Sequence, residues 1–86
     1  MLKPNSSIEV IFEEIRAELA RAQKWGPMCS LHDAYGVIAE EFAEFEEIVF
    51  QKQPERSNPD TRAELMQLAT MAIKAILCEH IMVGKE

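Results

Sequence analysis

The residues with the clearest chemical potential lie in one acidic segment. Five of the eight residues at positions 40–47 are glutamates, and the apolar residues around them recur at helical spacing. At about 100° per residue, Glu41 falls on the apolar side of this helix, and Glu44 lies at the edge of that side, one turn further on. The other three, Glu40, Glu46 and Glu47, lie outside it. Glu41 is therefore the glutamate whose position most requires a partner.

Because burial of a lone carboxylate is costly, Glu41 requires a hydrogen-bond network, a basic side chain or a metal ion. Glu64 opens the next predicted helix at the edge of its main apolar face. If the two helices run antiparallel, Glu64 approaches Glu44 and three carboxylates converge. Oxygen ligands of this kind suit Mg²⁺ or Mn²⁺. The residues leave open the alternative of a solvated acidic face on which Arg62 or Lys74 neutralises Glu41.

Length and composition restrict the class of protein. The chain has 86 residues, and we assign a single domain to residues 1–86. The net charge of −6 disfavours general nucleic-acid binding. No apolar run approaches the ~20 residues of a membrane span, and the N-terminus has no apolar signal-peptide core. The two cysteines have no metal or redox spacing, which is typical of reduced thiols. We expect a cytoplasmic protein with neither a membrane nor a nucleic-acid partner.

Local sequence signals predict an all-α fold with three main helices. The first starts near Ser6, because Ser6 and Glu9 have the spacing of a capping box, and it ends near residue 23 or 24, before a Gly-Pro step. The second begins after the capping residue Ser30 and extends from Leu31 to about Gln53. The capping signals thus locate the start of each of these two helices.

The third helix is predicted from about Asp60 to Met82, after a linker at 54–59 that contains two prolines. This linker allows the second and third helices to form an antiparallel hairpin. The third helix is apolar around most of its circumference, and two other helices of a short chain cannot cover it. We therefore expect a subunit interface there and an oligomeric helical bundle.

Three further residues are candidates for substrate binding. Trp25 is the only tryptophan, and it either caps the first helix against the core or forms an aromatic wall on which a flat base stacks. His32 lies in the first turn of the second helix and is either a ligand contact or a surface or capping group. Lys52 flanks the linker and either contacts phosphates or is a plain surface charge.

The spacing of the glutamates resembles that of a known enzyme family. Glu40-Glu41-x-x-Glu44 on one helix, followed by Glu64-x-x-Gln67 on the next, is similar to the pattern of the MazG-like all-α nucleoside triphosphate pyrophosphohydrolases. The small phage- and prophage-type branch of that family gives the closer likeness, which covers roughly residues 16–78. The segments that carry this likeness are Lys24-Trp25-Gly26-Pro27, Leu31-His32-Asp33-Ala34-Tyr35-Gly36-Val37 and Arg62-Ala63-Glu64-Leu65-Met66-Gln67-Leu68-Ala69.

The resemblance implies Mg²⁺-dependent hydrolysis of a nucleoside triphosphate, noncanonical or deoxy forms included, to the monophosphate and pyrophosphate. Glu41, Glu44 and Glu64 would bind Mg²⁺ or Mn²⁺, and Glu40 would help to activate the attacking water. Gln67 stands where the family has an aspartate and would offer only a neutral carbonyl oxygen. The active unit would be a homodimer or a tetramer of paired dimers.

Gln67 also supports an alternative function. A neutral side chain at this position lowers the expected affinity for the metal on which the implied hydrolysis depends. The alternative is a non-catalytic oligomeric helical relative that binds a nucleotide or a partner protein without turnover.

Overall fold

The computed structural model describes residues 7–50 and 59–83, and this part of the chain is helical and contains no β-strand. The prediction of an all-α chain is confirmed. In chain order the elements are α1 (Ile8–Ala22), a 3₁₀ turn (Gln23–Trp25), α2 (Leu31–Val49), α3 (Pro59–Leu77) and the short α4 (Glu79–Met82). Helix α3 packs most extensively against α2, and α1 packs on α3 over a smaller area.

Helices α2 and α3 run antiparallel, as predicted. Ala34 near the start of α2 packs in one cluster with Cys78, which follows the end of α3. At the other end of the pair, Glu44 in the second half of α2 approaches Glu64 near the start of α3. The α2–α3 pair therefore has an apolar end, at Ala34 and Cys78, and an acidic end, at Glu44 and Glu64.

The capping residues define the helix starts. The Ser30 hydroxyl accepts a hydrogen bond from the Asp33 N–H at 3.0 Å, which confirms the predicted cap of α2. Helix α1 begins one residue later than predicted, because Ser7 rather than Ser6 is its cap: the Ser7 hydroxyl accepts from the Val10 N–H at 3.2 Å. Two adjacent serines offer the same capping chemistry, so spacing alone did not distinguish them.

The predicted end of α2 near Gln53 is wrong by several residues. The helix ends at Val49, and Phe50 leaves helical geometry with φ −99° and ψ 13°. The last turn contains no basic residue. Glu46 and Glu47 place negative charge at the negative end of the helix dipole, which disfavours continuation of the helix.

The single third helix predicted up to Met82 is interrupted at Cys78. The Cys78 N–H donates to two carbonyl oxygens, that of Lys74 at 3.0 Å and that of Ala75 at 3.1 Å. The ψ angle of Cys78 is 3°, which is outside the α-helical region. The chain then forms α4. Both Cys78 and Met82 are buried, in one cluster with Met28 and Ala34, so the interruption lies where the chain packs into the core.

The core among the described residues is small, and much apolar surface is open. Seven apolar side chains are buried, namely Ile15, Ala22, Met28, Ala34, Ile48, Cys78 and Met82. On α3, by contrast, Leu65, Ile76 and Leu77 are exposed, and Ile76 is 72% exposed. The apolar circumference predicted for the third helix is thus only partly covered by α1 and α2.

Two compositional expectations can be compared with the described residues. Among the described residues, no helix is both long enough and apolar enough to cross a membrane. Cys29 is exposed, Cys78 is buried, and both are free thiols. The absence of a disulfide agrees with the prediction of reduced cysteines.

Removal of the α2 cap should destabilise the chain. Ser30→Ala leaves the Asp33 N–H without its acceptor, and we expect the free energy of unfolding to fall by about 1 kcal/mol, measured by urea denaturation. Ser30→Asp keeps a capping oxygen and should lose only a few tenths of that amount. Equal destabilisation by both variants would contradict the capping role.

Candidate functional site

Three carboxylates from two helices meet at the acidic end of the α2–α3 pair. Glu41 and Glu44 lie one turn apart on α2, so both project toward α3, from which Glu64 approaches them. One carboxylate oxygen from each of the three lies within 4.8 Å of the others. Glu41 and Glu64 are half-buried and Glu44 is exposed. The structure thus brings together the three glutamates that the sequence selected, and their role as metal ligands stays a prediction.

The cluster is electrostatically unfavourable for Glu41. The pKa of Glu41 is raised to about 6, first by burial and then by the charges of Glu44 and Glu64, a hydrogen bond with Glu44 and the charge of Glu40. Glu41 Oε1 is shielded from solvent and has no hydrogen-bond partner among the described residues. The site therefore contains a carboxylate whose negative charge is opposed by the neighbouring carboxylates.

The basic side chains expected as alternative partners of Glu41 each make a contact with α1. Arg62 Nη1 donates to Glu14 Oε1 at 2.6 Å, and Lys74 Nζ donates to the Ala22 carbonyl oxygen at 3.2 Å. A divalent cation would supply the positive charge that the cluster needs, and an all-oxygen set of carboxylates suits Mg²⁺ or Mn²⁺. The residues present therefore fit a hard cation.

A cavity of about 360 Å³ adjoins the cluster and shares Glu41 with it. Its polar and aromatic lining consists of Glu18, Arg21, Lys24, Trp25, Glu41 and Gln67, and its apolar lining of Ala22, Val37 and Met71. The cavity lies where the end of α1 and the 3₁₀ turn approach α2 and α3. A molecule with one end bound at the carboxylate cluster could therefore place its other end in this cavity.

Gln67 is engaged with α1. Its Nε2 donates to Glu18 Oε1 at 2.9 Å, and Glu18 also accepts from Arg21. These two hydrogen bonds, that from Arg21 first, hold the pKa of Glu18 below its usual value. Gln67 therefore lines the cavity through a bond to Glu18, and its amide is held by α1.

The other predicted site residues are placed differently. Trp25 is 75% exposed and lines the cavity, which excludes the first of its two alternatives, packing against the core, and leaves its role as a stacking wall as a prediction. Glu40 is exposed beside Glu41 on α2. His32 lies with Leu31 and Tyr35 at a separate surface recess, away from the cluster. Lys52 lies outside the described residues.

Sequence reasoning did not select the α1 residues of the cavity. Glu18 and Arg21 lie on the polar side of α1, which by pattern is an ordinary solvated face. Lys24 lies with its Nζ 5.1 Å from the centre of the Trp25 ring, within the range of a cation–π contact. One signal in the sequence could have indicated this cavity. Arg21 and Lys24, two basic residues in an acidic chain, lie close to the single tryptophan at the end of α1.

Comparison of the chain with protein-family models, with curated proteins and with solved structures gives no match. The likeness to the MazG-like pyrophosphohydrolases therefore stays a prediction, and the site has to be judged on its own geometry.

Replacement of Glu41 should change how stability depends on pH. The pKa of Glu41 is about 6 in the folded chain against 4.5 for an ordinary glutamate, so the folded state binds more protons between these values and its stability falls as the pH rises. Without divalent metal, Glu41→Gln should match the native chain well below pH 4.5, where the carboxyl is protonated in both states, and should exceed its free energy of unfolding by about 1–2 kcal/mol near pH 7.

Urea denaturation in EDTA across this pH range measures the difference. Glu47→Gln is the matched control, because Glu47 lies on the same helix, is exposed and is outside the cluster. Its free energy of unfolding should differ from that of the native chain by a small amount that is constant with pH. A Glu41→Gln profile parallel to the native one would show that Glu41 is not strained.

Proposed function

We propose that this protein hydrolyses a nucleoside triphosphate to the monophosphate and pyrophosphate with Mg²⁺, or Mn²⁺, held by Glu41, Glu44 and Glu64. The supporting observation is the convergence of these carboxylates within 4.8 Å around a solvent-shielded oxygen of Glu41 that has no hydrogen-bond partner among the described residues. A cluster that is strained without a cation and lies beside a cavity is the arrangement expected of a metal-dependent site.

In the proposed reaction, a water oxygen attacks the α-phosphorus and the bond from this phosphorus to the bridging oxygen breaks, which releases pyrophosphate. Bound Mg²⁺ would neutralise phosphate charge and help to form the attacking hydroxide. Glu40 is exposed one residue from Glu41, and it would accept the proton of the water. Arg21 and Lys24 in the cavity lining would offset the remaining phosphate charge.

A second candidate function has one observation in its favour. Gln67 stands at the position where the MazG-like family carries an aspartate, and its neutral amide adds no negative charge to the cluster. This amide donates to Glu18 on α1. The protein would then be a non-catalytic helical relative that binds nucleotide, or a partner protein, without turnover. Nucleotide binding seen by calorimetry with no release of pyrophosphate would distinguish this candidate from the enzyme.

We further propose that the chain works as a homodimer, or as a tetramer of paired dimers, with α3 at the interface. Ile76 and Leu77 are 72% and 60% exposed, and Leu65 is also exposed on the same helix. Burial of one such side chain contributes about 1.5–3 kcal/mol. A second copy of the chain would cover surface that α1 and α2 leave open.

Loss of either half-buried ligand should abolish the reaction. We expect Glu41→Gln and Glu64→Gln each to lower the rate of pyrophosphate release by about 100-fold or more, because a neutral amide replaces a charged ligand. The assay uses a panel of canonical and modified nucleotides with Mg²⁺ or Mn²⁺, and EDTA should abolish the activity.

The control is again Glu47→Gln, which should retain nearly full activity because Glu47 lies outside the cluster. If the folded native protein released no pyrophosphate from any nucleotide of the panel, the proposed reaction would be wrong.

A charge on the exposed face of α3 should disrupt the assembly. Ile76→Glu should weaken self-association by at least about tenfold, because a carboxylate replaces an apolar side chain in the proposed interface. Sedimentation velocity over a range of protein concentrations measures this change. Gln23→Glu adds the same charge at an exposed position after α1 and should have no effect. A native chain that is monomeric at all concentrations would contradict the proposal.

A further inference from the structure

We propose that the cavity beside the cluster binds the base of the nucleotide and that Glu18 selects a base with two adjacent hydrogen-bond donors, as guanine has in N1–H and its 2-amino group. This inference rests on the proposed function in one respect, namely that the phosphates lie at the carboxylate cluster. The substrate class would then be a guanine nucleotide.

The position of the cavity is the first support. Glu41 belongs both to the carboxylate cluster and to the cavity lining, so the two are continuous. A volume of about 360 Å³ lies within the usual range for small-molecule sites. A triphosphate held at the cluster would therefore extend its sugar and base toward α1 and the 3₁₀ turn.

The walls of the cavity suit a flat ring. Trp25 presents an indole that is 75% exposed, although an unused tryptophan would gain more from burial in the core. Val37 and Met71 supply apolar surface. An aromatic platform with apolar neighbours stacks any nucleobase and does not by itself distinguish one base from another.

The polar groups at the α1 side supply the selectivity. Glu18 Oε1 accepts from Gln67 Nε2 at 2.9 Å, and Oε2 accepts from Arg21. A carboxylate has about four lone-pair positions, so each of these oxygens can accept one further hydrogen bond. Gln67 also lines the cavity, and its amide carries a carbonyl oxygen that can accept a hydrogen bond. The cavity thus offers adjacent acceptors that are held in place by two neighbouring side chains.

Of the four common bases, guanine matches this set best. Its Watson–Crick edge carries two adjacent donors, which both Glu18 oxygens can accept, and an oxygen, toward which Arg21 can donate. Adenine and cytosine each place an acceptor beside their amino group, and uracil places a carbonyl oxygen on each side of its single donor. Each of these three would direct a lone pair toward the carboxylate, which is repulsive.

Comparison of two nucleotides that differ in one group tests the inference. IMP lacks only the 2-amino group of GMP, and Trp25 is the single tryptophan of the chain, so its fluorescence reports directly on this cavity. In Mg²⁺, the native protein should bind GMP about tenfold more tightly than IMP, since one hydrogen bond to a carboxylate is lost. Equal affinities for GMP and IMP, or no binding of either, would overturn the proposal.

Variants on α1 test the assignment to Glu18. Glu18→Gln should reduce the preference for GMP to less than about twofold, because the amide offers one acceptor in place of two. Glu13→Gln is the matched control: Glu13 lies on α1, is exposed and does not line this cavity. It should keep the native preference. If Glu18→Gln also kept it, Glu18 would not be the selecting residue.

The native comparison of GMP with IMP remains decisive if Glu18→Gln does not fold, which circular dichroism would reveal. These binding measurements use the product of the proposed reaction and need no turnover. Failure of catalysis would appear as absent pyrophosphate release, whereas failure of the base assignment would appear as equal binding of GMP and IMP.

Discussion

The half-buried carboxylate of Glu41 is the constraint around which the α2–α3 pair is arranged. A single core-facing glutamate would be accommodated most favourably by a basic neighbour, yet the charges that shift its pKa are those of other glutamates, chiefly Glu44 and Glu64. Burial and repulsion both oppose its charge, which is why its pKa rises to about 6. This opposed charge is the observation on which the proposed divalent cation rests, because an oxygen-only set of carboxylates suits such an ion.

Helix α1 completes the site by polar contacts. Arg62 donates to Glu14, Gln67 to Glu18, and Lys74 to the backbone at Ala22, so three side chains spread along α3 bind α1. Few apolar side chains of α1 are buried with them, only Ile15 and Ala22. These contacts fix α1 at the distance that leaves the cavity open beside Glu41. The side chain expected to weaken a metal site, Gln67, thereby acquires a different role, as a support for the cavity wall.

The small core explains why the apolar surface matters. The buried apolar side chains of the described residues are few, and α3 still exposes Leu65, Ile76 and Leu77. A chain of this length buries only about 60–65% of its unfolded surface, so an additional interface would contribute substantially to its stability. Because α3 supplies Glu64 as well, association of two chains through α3 would also stabilise the helix that carries one of the three carboxylates.

The sequence by itself determined the helical class, the cap at Ser30 and the orientation of Glu41, since these follow from a 3.6-residue period and from hydrogen bonds between neighbours in the chain. It also selected Glu44 and Glu64, because the linker predicted at 54–59 allows the two helices to run antiparallel. The tertiary structure alone decided the end of α2, the interruption at Cys78 and the hydrogen bond between Gln67 and Glu18. These depend on which faces meet across long sequence separations: the polar side of α1 is indistinguishable from a solvated face until α3 is packed against it.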